Sequence, residues 1–134
     1  MKKEISLRYS TKMLISVLGL TFSISASSSL VAQTATPFDG LYAPERGFES
    51  WRCTAEYLGG DGGAVGVVDG FLEGVESSCK LTKPTKVRGM DAVLYDAICS
   101  SEGEQYSYRV MLMRRDNGIY VVQNGYASEW RSCG

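Results

Sequence analysis

The side chains of this chain that could do chemistry are carboxylates, cysteines and arginines, because the sequence contains no histidine. Two pairs of carboxylates lie close together in sequence, Glu73 with Glu76 and Glu102 with Glu104. Two suitably spaced carboxyl groups can supply the acid and the base that hydrolyse a glycosidic bond. Glu73 and Glu76 face opposite sides of a predicted strand, whereas the second pair lies beside a turn. Carboxylates on a β surface are ordinarily solvated, so we predict no catalytic residue among them.

Other kinds of catalysis lack the residues that they require. Without histidine, neither a Ser-His-Asp nor a Cys-His arrangement can form. No Cys-x-x-Cys is present for disulfide exchange, and the widely spaced cysteines do not fit a zinc site. The glycine-rich residues 59–63 lack the Gly-Lys-Ser/Thr ending of a nucleotide-binding loop. We therefore predict that the protein is not an enzyme and that it binds neither a metal ion nor a cofactor.

Binding residues are the remaining candidates. Arg114 and Arg115 precede an Asn-Gly dipeptide, and Tyr120 follows it. Arginine and tyrosine are residue types that anchor interfaces, so these three residues form a candidate binding surface. The alternative is that the arginines keep a turn soluble. A second aromatic set either faces a ligand or, as we favour, packs against the first and last strands: Trp51, Tyr57, Tyr126 and Trp130.

The first 32 residues are predicted to be a signal peptide. Basic residues at positions 2, 3, 8 and 12 precede an apolar run over 13–24, and small residues follow up to Ala32. The apolar run is shorter than the roughly 18 residues of a membrane-spanning helix, so we predict no transmembrane segment. Cleavage is expected after Ala32, within the window 26–35. We therefore expect a periplasmic or secreted protein.

The net charge limits the class of partner. The signal peptide carries four of the 14 basic residues and one of the 15 acidic residues, which leaves 10 basic and 14 acidic residues and a net charge of −4. A nucleic-acid-binding domain needs a basic patch to neutralise phosphates, so we predict no nucleic acid partner. We expect the partner to be a protein or another envelope macromolecule. The 102 residues after the signal peptide are enough for one domain.

All four cysteines, Cys53, Cys79, Cys99 and Cys133, follow the signal peptide. An even number of cysteines in an exported chain predicts two disulfides, for which three connectivities are possible. Cys79 ends one predicted strand, and Cys99 ends the strand that returns after a turn near residue 89. Antiparallel pairing of these strands sets the two cysteines opposite each other. We therefore predict a Cys79–Cys99 bridge and, between the first and last strands, a Cys53–Cys133 bridge.

The strongest local signal is a β-hairpin around Asn117-Gly118. β-prone residues flank this dipeptide on both sides, and Asn and Gly both tolerate the positive φ that a tight hairpin turn requires. A two-residue loop would pair Met113 with Val122, and a bulged loop would shift that pairing by one residue. Because an isolated hairpin is only marginally stable in water, we expect the other strands to pack around this one.

Short strands recur about every 8–12 residues with turn residues between them, which indicates an all-β fold. We predict a small antiparallel meander of about seven or eight strands, closed into a barrel or a flattened barrel. The expected segments are an irregular lead-in over 33–50 and an antiparallel β domain over 51–134, whose first strand spans 51–57. A tight turn at Asp69-Gly70 should precede one long strand over 71–81.

The segments around three cysteines carry a resemblance. Over residues 76–79, 99–103 and 130–133, the chain reads Glu-Ser-Ser-Cys, Cys-Ser-Ser-Glu-Gly and Trp-Arg-Ser-Cys. These segments resemble small exported proteins of Gram-negative bacteria that have no assigned function. More distantly, the size, export signal and all-β pattern are similar to the periplasmic lysozyme inhibitors, small antiparallel barrels that block an enzyme cleft with a surface loop. The Ser-Gly-x-x-Tyr segment of that loop is absent here, so no residue is carried over.

These observations lead us to predict a non-catalytic binding module, periplasmic or secreted, one form of which is an inhibitor of an envelope enzyme. One alternative is a carboxylate-dependent hydrolase, in which Glu73, Glu76 or Glu104 would lie in a cleft. Another alternative is a structural subunit of an envelope assembly, which would present a large apolar patch or an open sheet edge.

Overall fold

Eight strands follow one another around a closed antiparallel barrel in the computed structural model, which describes residues 35–134. Each strand pairs with the next one, and the last strand pairs with the first. The strands are β1 (Gly40–Pro44), β2 (Val65–Val68), β3 (Phe71–Gly74), β4 (Ser77–Lys86), β5 (Ala92–Ser101), β6 (Glu104–Arg115), β7 (Gly118–Gln123) and β8 (Tyr126–Ser132). The prediction of an all-β antiparallel meander closed into a barrel is confirmed.

The predicted signal peptide, residues 1–32, lies outside the described residues. Within residues 35–134, no helix is long and apolar enough to cross a membrane. Two disulfides, described below, indicate an oxidising compartment outside the cytoplasm.

The turns lie alternately at two ends of the barrel, because consecutive strands run in opposite directions. We call the end with the β2–β3, β4–β5 and β6–β7 turns the closed end, and the other end the mouth. Phe38, just before β1, is fully buried in the core at the closed end, where its carbonyl oxygen accepts a 2.6 Å hydrogen bond from the Tyr42 hydroxyl. The Arg114 guanidinium lies 5.2 Å from the Phe38 ring centroid and donates to the Pro37 carbonyl oxygen. Phe38 and Arg114 therefore cover the core at this end.

Residues 45–64, which we call the covering segment, connect β1 to β2 and lie over the outer face of both strands. They include two short 3-10 helices, Phe48–Ser50 and Ala55–Tyr57. Gly66 in β2 makes room for this segment, because a Cβ there would lie 3.1 Å from Leu58 Cδ1. Ala43 faces outward from β1 and is nevertheless fully buried.

Two sequence-based assignments in this region are wrong. Residues 40–44, predicted to be part of an irregular lead-in, form β1, and residues 51–57, predicted to be the first strand, belong to the covering segment. Prolines and glycines around β1 concealed the strand; Pro44 is its last residue, where a missing N–H interrupts little of the ladder. The only pairing of residues 51–57 within the described chain is an isolated bridge between Arg52 and Gly63.

The predicted long strand over 71–81 is two strands. A turn at Val75-Glu76 separates β3 from β4, with Gly74 paired to Ser77 and Glu76 at φ 51°. β4 then continues to residue 86, beyond the expected end, through a register shift between Thr82 and Thr85. Sequence alternation does not reveal this turn, because Glu76 adopts the left-handed conformation without being a glycine.

The turn at Asp69-Gly70 is confirmed: both residues have positive φ, and they join paired Val68 and Phe71.

The β6–β7 hairpin is present, but its predicted register is wrong. Arg115 pairs with Gly118 and Met113 pairs with Tyr120, so the loop residues are Asp116 and Asn117. Gly118 is not in the left-handed conformation; a Cβ there would overlap the Trp130 carbonyl oxygen of β8. The glycine is therefore required by the close approach of a neighbouring strand rather than by the turn.

The structure pairs the cysteines as predicted. Cys79 and Cys99 are directly opposite each other on β4 and β5, both are buried, and their Cα atoms are 3.9 Å apart. The Cys53–Cys133 bridge joins Cα atoms 5.4 Å apart. Cys53 lies in the covering segment rather than on the first strand, so this bridge fastens that segment to the chain just after β8.

Removing the Cys53–Cys133 bridge in the double variant C53S/C133S should lower the free energy of unfolding by about 4–5 kcal/mol, because the bridge closes a loop of 80 residues in the unfolded chain. Urea denaturation measures this loss. A non-reducing peptide map of the native protein should contain both linked pairs. A double variant as stable as the parent would contradict the contribution assigned to this bridge.

Gly118→Ala should lower the free energy of unfolding by about 3 kcal/mol, because β8 must move away to accommodate a methyl group beside Trp130. Gly125→Ala is the matched control; Gly125 has φ +77° but open space around it, so only about 1 kcal/mol should be lost. Thermal melts of both variants test this order. Equal losses would contradict the role assigned to the close approach of β8.

Candidate functional site

The mouth of the barrel contains an uncharged pocket of about 280 Å³. Its floor is formed by inward-facing core side chains, among them Val65, Leu72 and Val121. Aromatic side chains form much of its wall: Trp51, Tyr108, Tyr126 and Trp130. Ligand sites in proteins are typically concave, mostly apolar and found in places such as the mouths of β-barrels. We therefore regard this pocket as the candidate functional site.

Each wall residue is positioned by the strand alternation or by the covering segment. Trp130 and Tyr126 are two of the inward positions of β8, and Trp130 is largely buried. Trp51 is brought to the mouth by the covering segment. Tyr126 is 63% exposed and Val75 is 38% exposed, so apolar surface at the rim is open to solvent. The pocket can therefore be reached from outside.

A small polar group lies at the side of the pocket. Gln123 Nε2 donates a 3.4 Å hydrogen bond to the Tyr108 hydroxyl, which is also 3.7 Å from the Cys79 sulfur. The Tyr108 ring stacks on Tyr106, with centroids 6.1 Å apart. Burial raises the pKa of Tyr108 above its usual value, and the nearby Tyr106 adds to this effect. Tyr108 therefore presents a neutral hydroxyl to the pocket at physiological pH.

No charged side chain among residues 35–134 lines the pocket. Carboxylates instead lie on the turns around it: Glu76 on the β3–β4 turn, and Glu102 and Glu104 at the β5–β6 turn. All three are exposed, and none of them forms an ion pair within the described part of the chain. The site thus consists of a neutral pocket with an acidic border on one side.

The carboxylates that were considered for hydrolysis do not line this pocket. Glu73 faces the outside of β3, where it accepts a 2.9 Å hydrogen bond from the Ser78 hydroxyl. Glu76 and Glu102 lie beside it around a shallow hollow between the β3–β4 and β5–β6 turns. Among residues 35–134, no three His, Cys, Asp or Glu side chains are grouped to hold a metal ion.

The structure divides the candidate surface of Arg114, Arg115 and Tyr120 between two faces. Arg115 lies on the outer wall with its guanidinium 5.4 Å from the Tyr120 ring centroid. Its side chain is only 20% exposed and makes ion pairs with Glu45 at 3.0 Å and Glu129 at 3.3 Å. Arg114 points the other way, over Phe38 at the closed end. A binding role for the three residues stays a prediction, but the charge of Arg115 is already engaged within the barrel.

A larger hollow of about 580 Å³ lies at the closed end. It is bordered by Asp39, by the β6–β7 turn and by the last residues of the chain. Arg114, on its border, donates a hydrogen bond to the Pro37 carbonyl oxygen and forms an ion pair with Asp91 at 3.9 Å. This hollow is lined by four charged side chains, and both of its arginines, Arg114 and Arg115, are engaged in contacts within the fold, so the mouth is the better candidate site.

The sequence partly identified the mouth. Of the four aromatic residues considered as a ligand-facing cluster, three line the pocket, although packing was the favoured explanation. The fourth, Tyr57, lies elsewhere on the covering segment, with Arg52 at 4.2 Å from its ring centroid. Tyr108 and Gln123 were missed as site residues. Strand alternation along β6 places Tyr106 and Tyr108 on one face, and this pattern could have identified Tyr108 as a site residue.

The fold defines a class: a small, closed, eight-stranded antiparallel β-barrel with two disulfides. No protein-family model, curated protein or solved structure matches this chain. The site must therefore be interpreted from its own geometry.

The free energy of unfolding should be constant up to about pH 9 and should fall above about pH 10. Burial raises the pKa of Tyr42, Tyr95 and Tyr108 in the folded protein. The unfolded chain therefore releases these protons first, and the stability they contribute is lost as the pH rises through their folded-state pKa values. Urea denaturation at a series of pH values measures this. Tyr108→Phe should show a shallower decline, and an unchanged free energy up to pH 11 or so would contradict the account.

Proposed function

We propose that this protein is a non-catalytic binding module of the periplasm or the extracellular space, and that its binding site is the mouth of the barrel. The observation that carries this proposal is the neutral, aromatic-lined pocket at the accessible end of the barrel. Tryptophan and tyrosine are the residue types that contribute most binding energy at interfaces. The absence of charge inside the pocket favours the insertion of an uncharged group.

The barrel suits a pre-formed site. Every described strand is paired on both sides, and one disulfide joins β4 to β5 beside the pocket floor. Cys53–Cys133 holds the covering segment, which supplies Trp51, against the end of β8. A site that is rigid before binding loses little conformational freedom on binding, so more of the contact energy is available as affinity.

The pocket is large enough for one inserted group of a macromolecular partner. A cavity of about 150 Å³ is enough to bind benzene, and the mouth pocket is about 280 Å³. This volume lies at the lower limit of the sites that enclose whole drug-sized ligands, which usually have about 300–1,000 Å³. One large side chain of a partner protein therefore fits the pocket.

Inhibition of an envelope enzyme is a specific form of this function. The distant similarity to the periplasmic lysozyme inhibitors in size, export signal and all-β pattern is the basis for it, and the closed barrel is compatible with it. The inhibitory loop of those proteins has no counterpart here. An inhibitor of this kind would therefore contact its target through the mouth rather than through that loop.

The two alternatives receive less support from the geometry. A carboxylate-dependent hydrolase requires two carboxyl groups facing each other across a substrate cleft; here Glu73, Glu76 and Glu102 border a shallow, exposed hollow. A structural subunit that assembles by sheet extension requires an open edge, and closure of the barrel leaves no described strand unpaired along an edge.

The test is affinity capture from an envelope extract with the wild-type protein and the double variant Val75→Lys/Tyr126→Lys. Both residues are exposed at the rim, so the charges should block the mouth without entering the core. We expect loss of the partners captured by the wild type. Ile98→Lys is the control for an added charge, because Ile98 is exposed on the outer wall of β5. If the rim variant captures the same partners as the wild type, the mouth is not the binding site.

A further inference from the structure

We infer that the mouth binds an apolar side chain carried on a positively charged segment of a partner protein. This inference rests on the function proposed above and adds the chemistry of the partner. It combines two independent features of the same end of the barrel. One is the neutral aromatic pocket, and the other is the set of carboxylates on the surrounding turns.

The pocket selects the inserted group. Its lining offers aromatic faces, aliphatic side chains, the neutral hydrogen-bonding pair of Tyr108 and Gln123, and the uncharged side chains of Ser77 and Ser128. A charged group would lose its hydration there without gaining a counter-ion, which is strongly unfavourable. The inserted group is therefore uncharged and apolar, with the volume of an aromatic or a large aliphatic side chain.

The rim selects the charge of the flanking residues. Glu76, Glu102 and Glu104 lie on adjacent turns and have no ion pair within residues 35–134. By contrast, several basic side chains elsewhere on the barrel are already engaged by carboxylates: Lys83, Arg109, Arg114, Arg115 and Arg131. Some other basic side chains form no ion pair within residues 35–134, among them Arg46, Lys80, Lys86 and Arg88. Negative charge is thus free at the mouth, and complementary charge across an interface accelerates association and excludes like-charged partners.

The arrangement of the rim also gives the bound segment a direction. Glu76 and Glu102 lie on the β3–β4 and β5–β6 turns and Glu104 begins β6, whereas Arg46 lies with Glu45, Tyr126 and Glu129 on the side of β1 and β8. Because Glu45 and Glu129 are already paired with Arg115, a positively charged segment is favoured over the first side and disfavoured beside Arg46. We therefore expect the basic residues of the partner to lie towards the β3–β6 side, with the apolar side chain between them and Tyr126.

The experiment uses four short peptides of equal length and follows the fluorescence of Trp51 and Trp130, the two tryptophans of the chain, both of which line the pocket. One peptide has phenylalanine between lysines; the others replace the lysines with serine, replace the lysines with glutamate, or replace the phenylalanine with alanine. We expect the lysine–phenylalanine peptide to bind about tenfold more tightly than the serine peptide at low salt, and this ratio should shrink as salt is raised to about 0.2 M.

Variants of the rim carboxylates test whether the charge dependence of peptide binding arises at the mouth. Glu76→Gln/Glu104→Gln should weaken binding of the lysine–phenylalanine peptide about fivefold and leave the serine peptide unchanged. The matched control is Asp69→Asn/Asp116→Asn, which removes the same charge from turns at the closed end. If the control weakens binding equally, net charge rather than the rim is responsible, and the inference is wrong.

A different ligand at the mouth would give a different result in these experiments. Equal binding of the lysine and serine peptides overturns the inference, as does preferential binding of a neutral alkyl detergent or a dimer that Val75→Lys/Tyr126→Lys dissociates. In each of these cases, loss of envelope partners from the same rim variant would still support the proposed function. If no peptide binds and the rim variant captures the same partners as the wild type, both the inference and the proposed function fail.

Discussion

The barrel depends on the pairing of its first and last strands. β1 pairs with β8 over only three residue pairs, and two further backbone hydrogen bonds extend this seam, from Cys133 to Leu41 and from Glu45 to Glu129. Arg115 reaches across it to both Glu45 and Glu129, and the Cys53–Cys133 bridge fastens its end. If the seam opened, two edge strands would expose unpaired backbone groups, and the wall residues of the mouth would no longer face one another.

The sequence predicted the features that depend on local turn chemistry. It also predicted the cysteine pairing, because Cys53 and Cys133 remained once Cys79 was paired with Cys99. Closely spaced turn signals indicated the meander, and antiparallel return of one strand placed Cys79 opposite Cys99. It failed where a distant part of the chain decides the conformation. Gly118 was predicted to be a turn residue, but a glycine is required there because the β8 backbone lies too close for a side chain. Residues 51–57 look like a strand, yet they lie over the outer face because β1 already pairs with β2.

The site was partly predictable for the same reason. Three of its aromatic residues were recognisable from type and from their positions near both ends of the predicted domain. Their convergence depends on closure of the barrel, which brings the covering segment, β6 and β8 to one opening. The choice between packing and ligand contact could not be made from residue type alone. Trp130 is largely buried in the core and also lines the pocket.

The Cys53–Cys133 bridge also determines how the molecule would respond to mechanical tension. Cys53 and Cys133 are 80 residues apart, and strands β2 to β8 all lie between them within one covalent ring. A pulling force applied before β1 and at Gly134 passes directly across the bridge and bypasses the ring. β1 is the only strand on the stretched path, so it would separate from β2 and β8. Strands β2 to β8 lie inside the ring and would not be extended until the disulfide was reduced.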